Sequence, residues 1–144
     1  MSRVIQTEGV GKQRQTLMRT LALAVRELMH RGVIDAQTRD LVAFLVLALE
    51  DITQNIDDTV KAWEKRGYWL KADRFRLDWE WTQTISQHLR KAITEEDWDL
   101  VAQLVGDIAG KVSHVEVPAR HRLGTPWSGA WEKLKLKSFT KERE

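Results

Sequence analysis

The chain has no cysteine, which removes a disulfide framework, a thiolate metal site and a cysteine nucleophile together. Proline is nearly missing too: Pro118 and Pro126 are the two it has, and most of its 8 glycines lie outside the periodic stretches. So few breakers favour long helices over a many-turned β fold. The most apolar run, Leu41–Leu49, is about half of what a membrane-spanning helix needs. Residues Met1 to Gly9 lack the apolar core of a signal peptide, so cytoplasm is the expected location. No Gly-x-Gly-x-x-Gly, Walker loop or Gly-x-Ser-x-Gly sequence occurs, and with them go the usual signatures of dinucleotide binding, phosphate cradling and the nucleophile elbow.

What is present suffices for one domain with a real core. Of 144 residues, 42% are hydrophobic and 31% charged, which argues against charge-rich disorder. The formal net charge of +2 is unevenly spread. Residues 1–31 and 111–144 are basic, and the middle, 32–110, is acidic. Basic ends can bind nucleic acid or an acidic lipid surface. They can equally dock on the acidic middle of this chain or of a second copy. Self-association ranks above nucleic acid, because no nucleic-acid motif accompanies the charge.

The apolar spacing predicts helices. Leu17, Leu21, Ala24 and Leu28 form the stripe of a first helix over about 12–31, ended by Gly32. Asp35 is placed to cap a second helix. In it Val42, Leu45, Leu49, Ile52, Ile56, Val60 and Trp63 recur every three or four residues, and no breaker comes before Gly67. A helix over 36–66 would extend about 46 Å at 1.5 Å per residue. Its first half is apolar nearly all round, which implies contact with several helices. Its second half has one stripe and a polar face that includes Glu50, Asp51, Asn55, Asp57 and Asp58. The segment 69–93 reads as a third helix, although Phe75 to Trp81 alternates as a strand would. Thr94 to Asp97 caps a fourth helix running to about Val112, with Trp98, Val101, Val105 and Ile108 on its stripe and Gly106 inside it.

The expected fold is therefore all-α: an up-and-down, antiparallel four-helix bundle over 12–112 with a long second helix. Before it comes an irregular lead-in at 1–11. After it comes a C-terminal strap at 113–144, with a short fifth helix at 127–136. The long helix is expected to overhang the bundle and offer its stripe to a second copy, which makes a homodimer the expected assembly.

Tryptophan is abundant, at 7 residues. Trp63, Trp81 and Trp98 lie on core stripes. Trp79, two residues from Trp81, should point away from it on a continuous helix. That leaves Trp79 at a flank beside Arg76, in a residue pairing enriched at protein interfaces. Trp127 and Trp131, four apart in a basic segment, would share a face and either strap onto the bundle or meet a partner. Arg76, Trp79, Trp127 and Trp131 are the candidate partner-binding residues.

Catalytic and metal chemistry finds little support. Bundle di-iron sites repeat Glu-x-x-His, and Glu27 with His30 is the one such pair here. Glu80, Thr84 and His88 line one helix edge, a spacing that arises freely, and His88 is expected at a core boundary. The Glu-x-x-Glu/Asp pairs by which helical pyrophosphatases hold magnesium are missing, since Thr53 follows Glu50 at +3 and Gln54 follows Asp51. No cofactor and no metal is expected. The leading functional expectation is a non-enzymatic interaction, scaffold or accessory protein that associates with itself or another protein. A ligand- or metal-dependent enzyme using bundle carboxylates and a histidine comes second, and nucleic-acid binding through the basic termini third.

Overall fold

A computed structural model describes the backbone of residues 7–143 and the side chains of residues 9–137. Among these residues there is no strand, and six helices follow one another: α1 (Thr7–Met29), α2 (Ala36–Lys65), α3 (Trp69–Trp79), α4 (Trp81–Thr94), α5 (Trp98–Val112) and α6 (Ala130–Arg143). No helix of the described residues is long and apolar enough to cross a membrane.

Helix α2 is the hub. Its 30 residues extend about 45 Å, and it packs against α1, α3, α4 and α6, while α5 packs on α4 and α1. Asp35 starts it in extended backbone (φ −112°, ψ −174°), its side chain accepting from the Thr38 N–H. Its end is a turn in which Gly67 (φ +82°) takes the left-handed conformation, and the Tyr68 N–H reaches back to the Trp63 carbonyl at 2.9 Å. That pattern closes the last carbonyls and needs a residue tolerant of positive φ. From Leu41 to Leu49 every side chain is buried except the half-buried Phe44, as apolar residues all round require. Beyond Leu49 the stripe Ile52, Ile56 and Val60 is also buried. α2 therefore does not overhang: its second half is covered by the chain's own α1, α3 and α4, and the stripe on which a homodimer was expected is already used.

Three boundaries differ from the sequence reading. Residues 1–6 of the expected lead-in lie outside the described residues, and 7–11 are helical, so α1 starts before its first apolar repeat. Residues 69–94 are helical but divided at Glu80. There the buried Thr82 hydroxyl donates to the Trp79 carbonyl at 2.9 Å, and the Gln83 N–H turns instead to the Glu80 carbonyl at 3.2 Å. The last helix begins at Ala130, after a turn over 126–129, where the expectation was Trp127. Its start is set by a tertiary contact described below.

Polar contacts decide which neighbour meets which part of α2. The Arg90 guanidinium holds Glu50 at 2.7 and 2.9 Å, joining α4 to α2. The Thr53 and Thr82 hydroxyls lie 3.0 Å apart across the same pair. Asn55, only 3% exposed, faces α1. Its amide donates to the Val10 carbonyl (2.9 Å) and the Gln13 side chain (3.1 Å), and its oxygen accepts from Arg14 Nη1 (2.9 Å). The acids on this half are thus not one solvated face: Asp51, Asp57 and Asp58 are exposed, while Glu50 and Asn55 tie helices together.

Asn55→Ala should leave Arg14 and the Val10 carbonyl without their buried partner, at a cost of about 1–3 kcal/mol for each group left unsatisfied. The check is a lowered denaturation midpoint in urea. The Asp35 carboxyl lies below its ordinary value of 3.8, chiefly through the Thr38 N–H, with the Thr38 hydroxyl and Arg31 adding to the effect. Its folded-state pKa is depressed, so its contribution is complete above pH ~4 and is lost as pH falls through the folded value. The melting-temperature gap between wild type and Asp35→Ala should be constant near neutral pH and shrink in acid.

Candidate docking surfaces

The turn between α1 and α2 carries Met29, Val33 and Ile34, each more than half exposed. α1 ends at Met29, before the expected stop at Gly32, and these three are left on the outside of a short connection. Beside them α5 presents Trp98, Val101, Ala102, Val105 and Gly106, and together they line an apolar groove of about 510 Å³. A groove of that size falls within the range of ligand-binding clefts. Gly106 sits mid-helix with open space where a Cβ would be. Among the described residues nothing packs closely against it. Arg31 closes the polar side of the turn, pairing with Asp35 and donating to Gln37 and to the Thr38 hydroxyl.

The second assembly is aromatic. The break at Glu80 lets Trp79 and Trp81 stack, with ring centroids 6.2 Å apart and planes at 23°. An unbroken helix would have turned them apart, and that expectation is corrected. Phe75 continues the cluster to Trp63, at centroid distances of 6.2 Å from Trp79 and 4.8 Å from Trp63. Cations lie over these rings. Arg14 is 5.0 Å from Phe75 and 5.7 Å from Trp79, Lys71 is 4.4 Å from Trp63, and Lys111 is 5.7 Å from Trp81. Each such contact contributes roughly 0.5–2 kcal/mol, the larger values where desolvated. Burial pushes the Arg14 pKa down from its ordinary value. Among the described residues no carboxylate pairs with Arg14; Asn55 and the two rings hold it. A cleft of about 400 Å³ opens here, lined by Arg14, Arg19, His114, Trp79 and their neighbours.

The cation beside Trp79 is thus Arg14 and not Arg76. Arg76 is exposed and bonds Asp73 at 2.8 Å and Glu64 at 3.2 Å, which raises its pKa, Glu64 having the larger effect. The sequence signal for Arg14 was faint: an arginine on the first helix, forty-one positions from Asn55. His88 is exposed on α4 rather than at a core boundary. No three His, Asp or Glu side chains among the described residues converge as metal ligands would.

Trp127 and Trp131 do not lie with Arg76 and Trp79. Trp127 is buried, with Ala130 and Leu134, in the contact of the C-terminal segment with the core. Trp131 is half-buried, with Arg39 at 5.9 Å from its ring. The Asp40 carboxylate accepts from the Gly129 N–H at 3.2 Å and the Trp131 N–H at 3.0 Å. An α2 side chain therefore caps α6, and this fixes where α6 begins. Asp40, which receives the Trp131 N–H, and Glu64, which accepts from Arg76, are separated by about 36 Å of helix. Comparison of the chain with known protein families, curated proteins and solved structures finds no match among them.

Removing the cap with Asp40→Ala should loosen α6 by about 1 kcal/mol while leaving α1 to α5 intact. Limited trypsin digestion should then cut faster after Lys133 and Lys135, with the rest of the chain as resistant as before.

Proposed function

We propose that this chain is a non-enzymatic helical interaction protein that associates with a second copy of itself through the groove between the α1–α2 turn and α5. The observation that carries the reading is the concentration of Met29, Val33 and Ile34 on the rim of an apolar groove whose α5 wall includes the open Gly106. A two-fold dimer needs one patch that is complementary to itself. Here the same patch holds both parts: protruding side chains on the turn and a recess along α5. A mid-helix glycine costs up to about 1 kcal/mol relative to alanine. Close approach of a second helix gives a reason for that cost, which no contact among the described residues supplies.

In the same reading α1, α2, α4 and α5 are the staves of an up-and-down four-helix bundle spanning 12–112. Support comes from the closed circuit of contacts α1–α2–α4–α5–α1. Residues 113–144 act as a strap, held by Asp40 at α6 and by Arg26, which donates to the Val117 carbonyl at 3.0 Å. Trp127 then serves the fold and leaves the partner-binding set. Trp79 and Arg76 remain at the opposite end of α2 from the groove and are not needed for pairing.

Light scattering during size exclusion should give a mass near twice 16.7 kDa for the wild type at micromolar concentration. Ile34→Lys should give the monomer with an unchanged circular dichroism spectrum. Gly106→Ala should raise the melting temperature and weaken the dimer together. A wild type that stays monomeric, or an Ile34→Lys variant that still pairs, defeats the proposal.

A further inference from the structure

The turn after α2 and the outer side of α3 carry a second apolar patch that stays uncovered among the described residues. Tyr68, Trp69, Leu70 and Leu77 are all more than half exposed. Their placement follows from two local facts. Gly67, in its left-handed conformation, reverses the chain so that Tyr68 and Trp69 stand at the tip of the α2–α3 corner. In α3, Ala72, Phe75 and Trp79 take the inward side. Leu70 and Leu77, seven residues apart, share the side directly opposite. A helix that already has an apolar inner face and also shows two leucines on its outward pole presents an apolar surface with no cover among the described residues.

At the α2–α3 corner cations outnumber acids. Lys65, Arg66, Lys71 and Arg74 are all exposed, and Arg74 stands between the two leucines on the outer side. The nearby acids Glu64 and Asp73 both bond Arg76, and with Arg76 counted the corner holds five cations against these two acids. Asp78 and Glu80 lie at the far end of α3, away from Tyr68 and Trp69. Tyrosine and tryptophan at a tip, leucines on an outward helix face and a surrounding set of Lys and Arg are the chemistry of a helix lying in the headgroup layer of an anionic bilayer.

We infer that the α2–α3 corner is a docking surface for an anionic lipid membrane. On it α3 lies flat, with Leu70 and Leu77 at the acyl boundary and Tyr68 and Trp69 at headgroup depth. This surface is independent of the α1–α2 groove, because the two lie at opposite ends of α2.

The test is co-sedimentation of the full chain with vesicles of phosphatidylcholine alone and of phosphatidylcholine mixed with phosphatidylserine. The wild type should pellet with the mixed vesicles only, and less so as salt is raised. The double variant Leu70→Ser/Leu77→Ser should bind about tenfold more weakly or worse, with unchanged helix content, since both side chains are already in water. Lys65→Gln/Arg66→Gln should weaken binding in the same direction. Ile34→Lys should leave it intact, which separates failure here from failure of the groove. Wild type remaining in the supernatant with both vesicles, equal binding to both, or undiminished binding by the leucine variant would overturn the inference. So would binding of a protein at this corner without vesicle binding.

Discussion

The rest of the structure depends on the need to bury the first half of α2 from every side. Leu41 to Leu49 places apolar side chains around the whole helix, and a single neighbour covers only one stripe of such a surface. Coverage must come from several directions, and the contacts of α2 with α1, α4 and α6 supply it. Of the 29 buried hydrophobic side chains among the described residues, α2 contributes 11. Each large one removed from water is worth on the order of 1.5–3 kcal/mol, so no other helix has comparable weight. The remaining helices can be understood as solutions to covering α2.

Apolar burial is non-directional, so it does not by itself decide which helix covers which stretch. The polar contacts along α2 do that. Asp40 receives α6, Glu50 and Thr53 receive α4, Asn55 receives the start of α1, and Glu64 receives α3. Asn55 has the strictest requirements, because it is nearly fully buried and uses both ends of its amide. A shift of α1 along α2 by one turn would strand those groups, and an unsatisfied buried polar group costs more than a satisfied one contributes. The same residue holds Arg14 beneath the aromatic cluster, which links packing of the first helix to the position of Trp79.

With the core used internally, most of the large exposed apolar residues are left toward the two ends of α2, Leu136 on α6 excepted. Met29, Val33 and Ile34 lie at one end and Tyr68, Trp69, Leu70 and Leu77 at the other. Met29, Val33, Ile34, Tyr68 and Trp69 sit where one helix stops and the next begins, the second turn being set by Gly67, and Leu70 and Leu77 continue that set along the outward face of α3. Helix middles are committed to neighbours, whereas turns are free to present side chains outward. That is why the proposed contacts of this chain fall on its corners and not on the long helix itself.

By itself the sequence determined the all-helical class, the extent of α2, its Asp35 cap and the burial of Leu41 to Leu49. Each of these depends on periodicity or on a cap within a few residues, and such signals survive in one dimension. Only the tertiary structure decided that Asn55 and Glu50 are interhelical ties, that Trp79 stacks on Trp81 under Arg14, and that Trp127 is buried while Trp69 is not. It also decided that α2 does not overhang. These outcomes turn on partners far away in sequence: Arg14 with Asn55, Thr53 with Thr82, Asp40 with Trp131. A Thr82 hydroxyl that meets Thr53 between α4 and α2, or an Asp40 able to start α6, looks in the sequence like any other polar residue on a helix. Its role exists only once packing brings the second group within hydrogen-bonding distance.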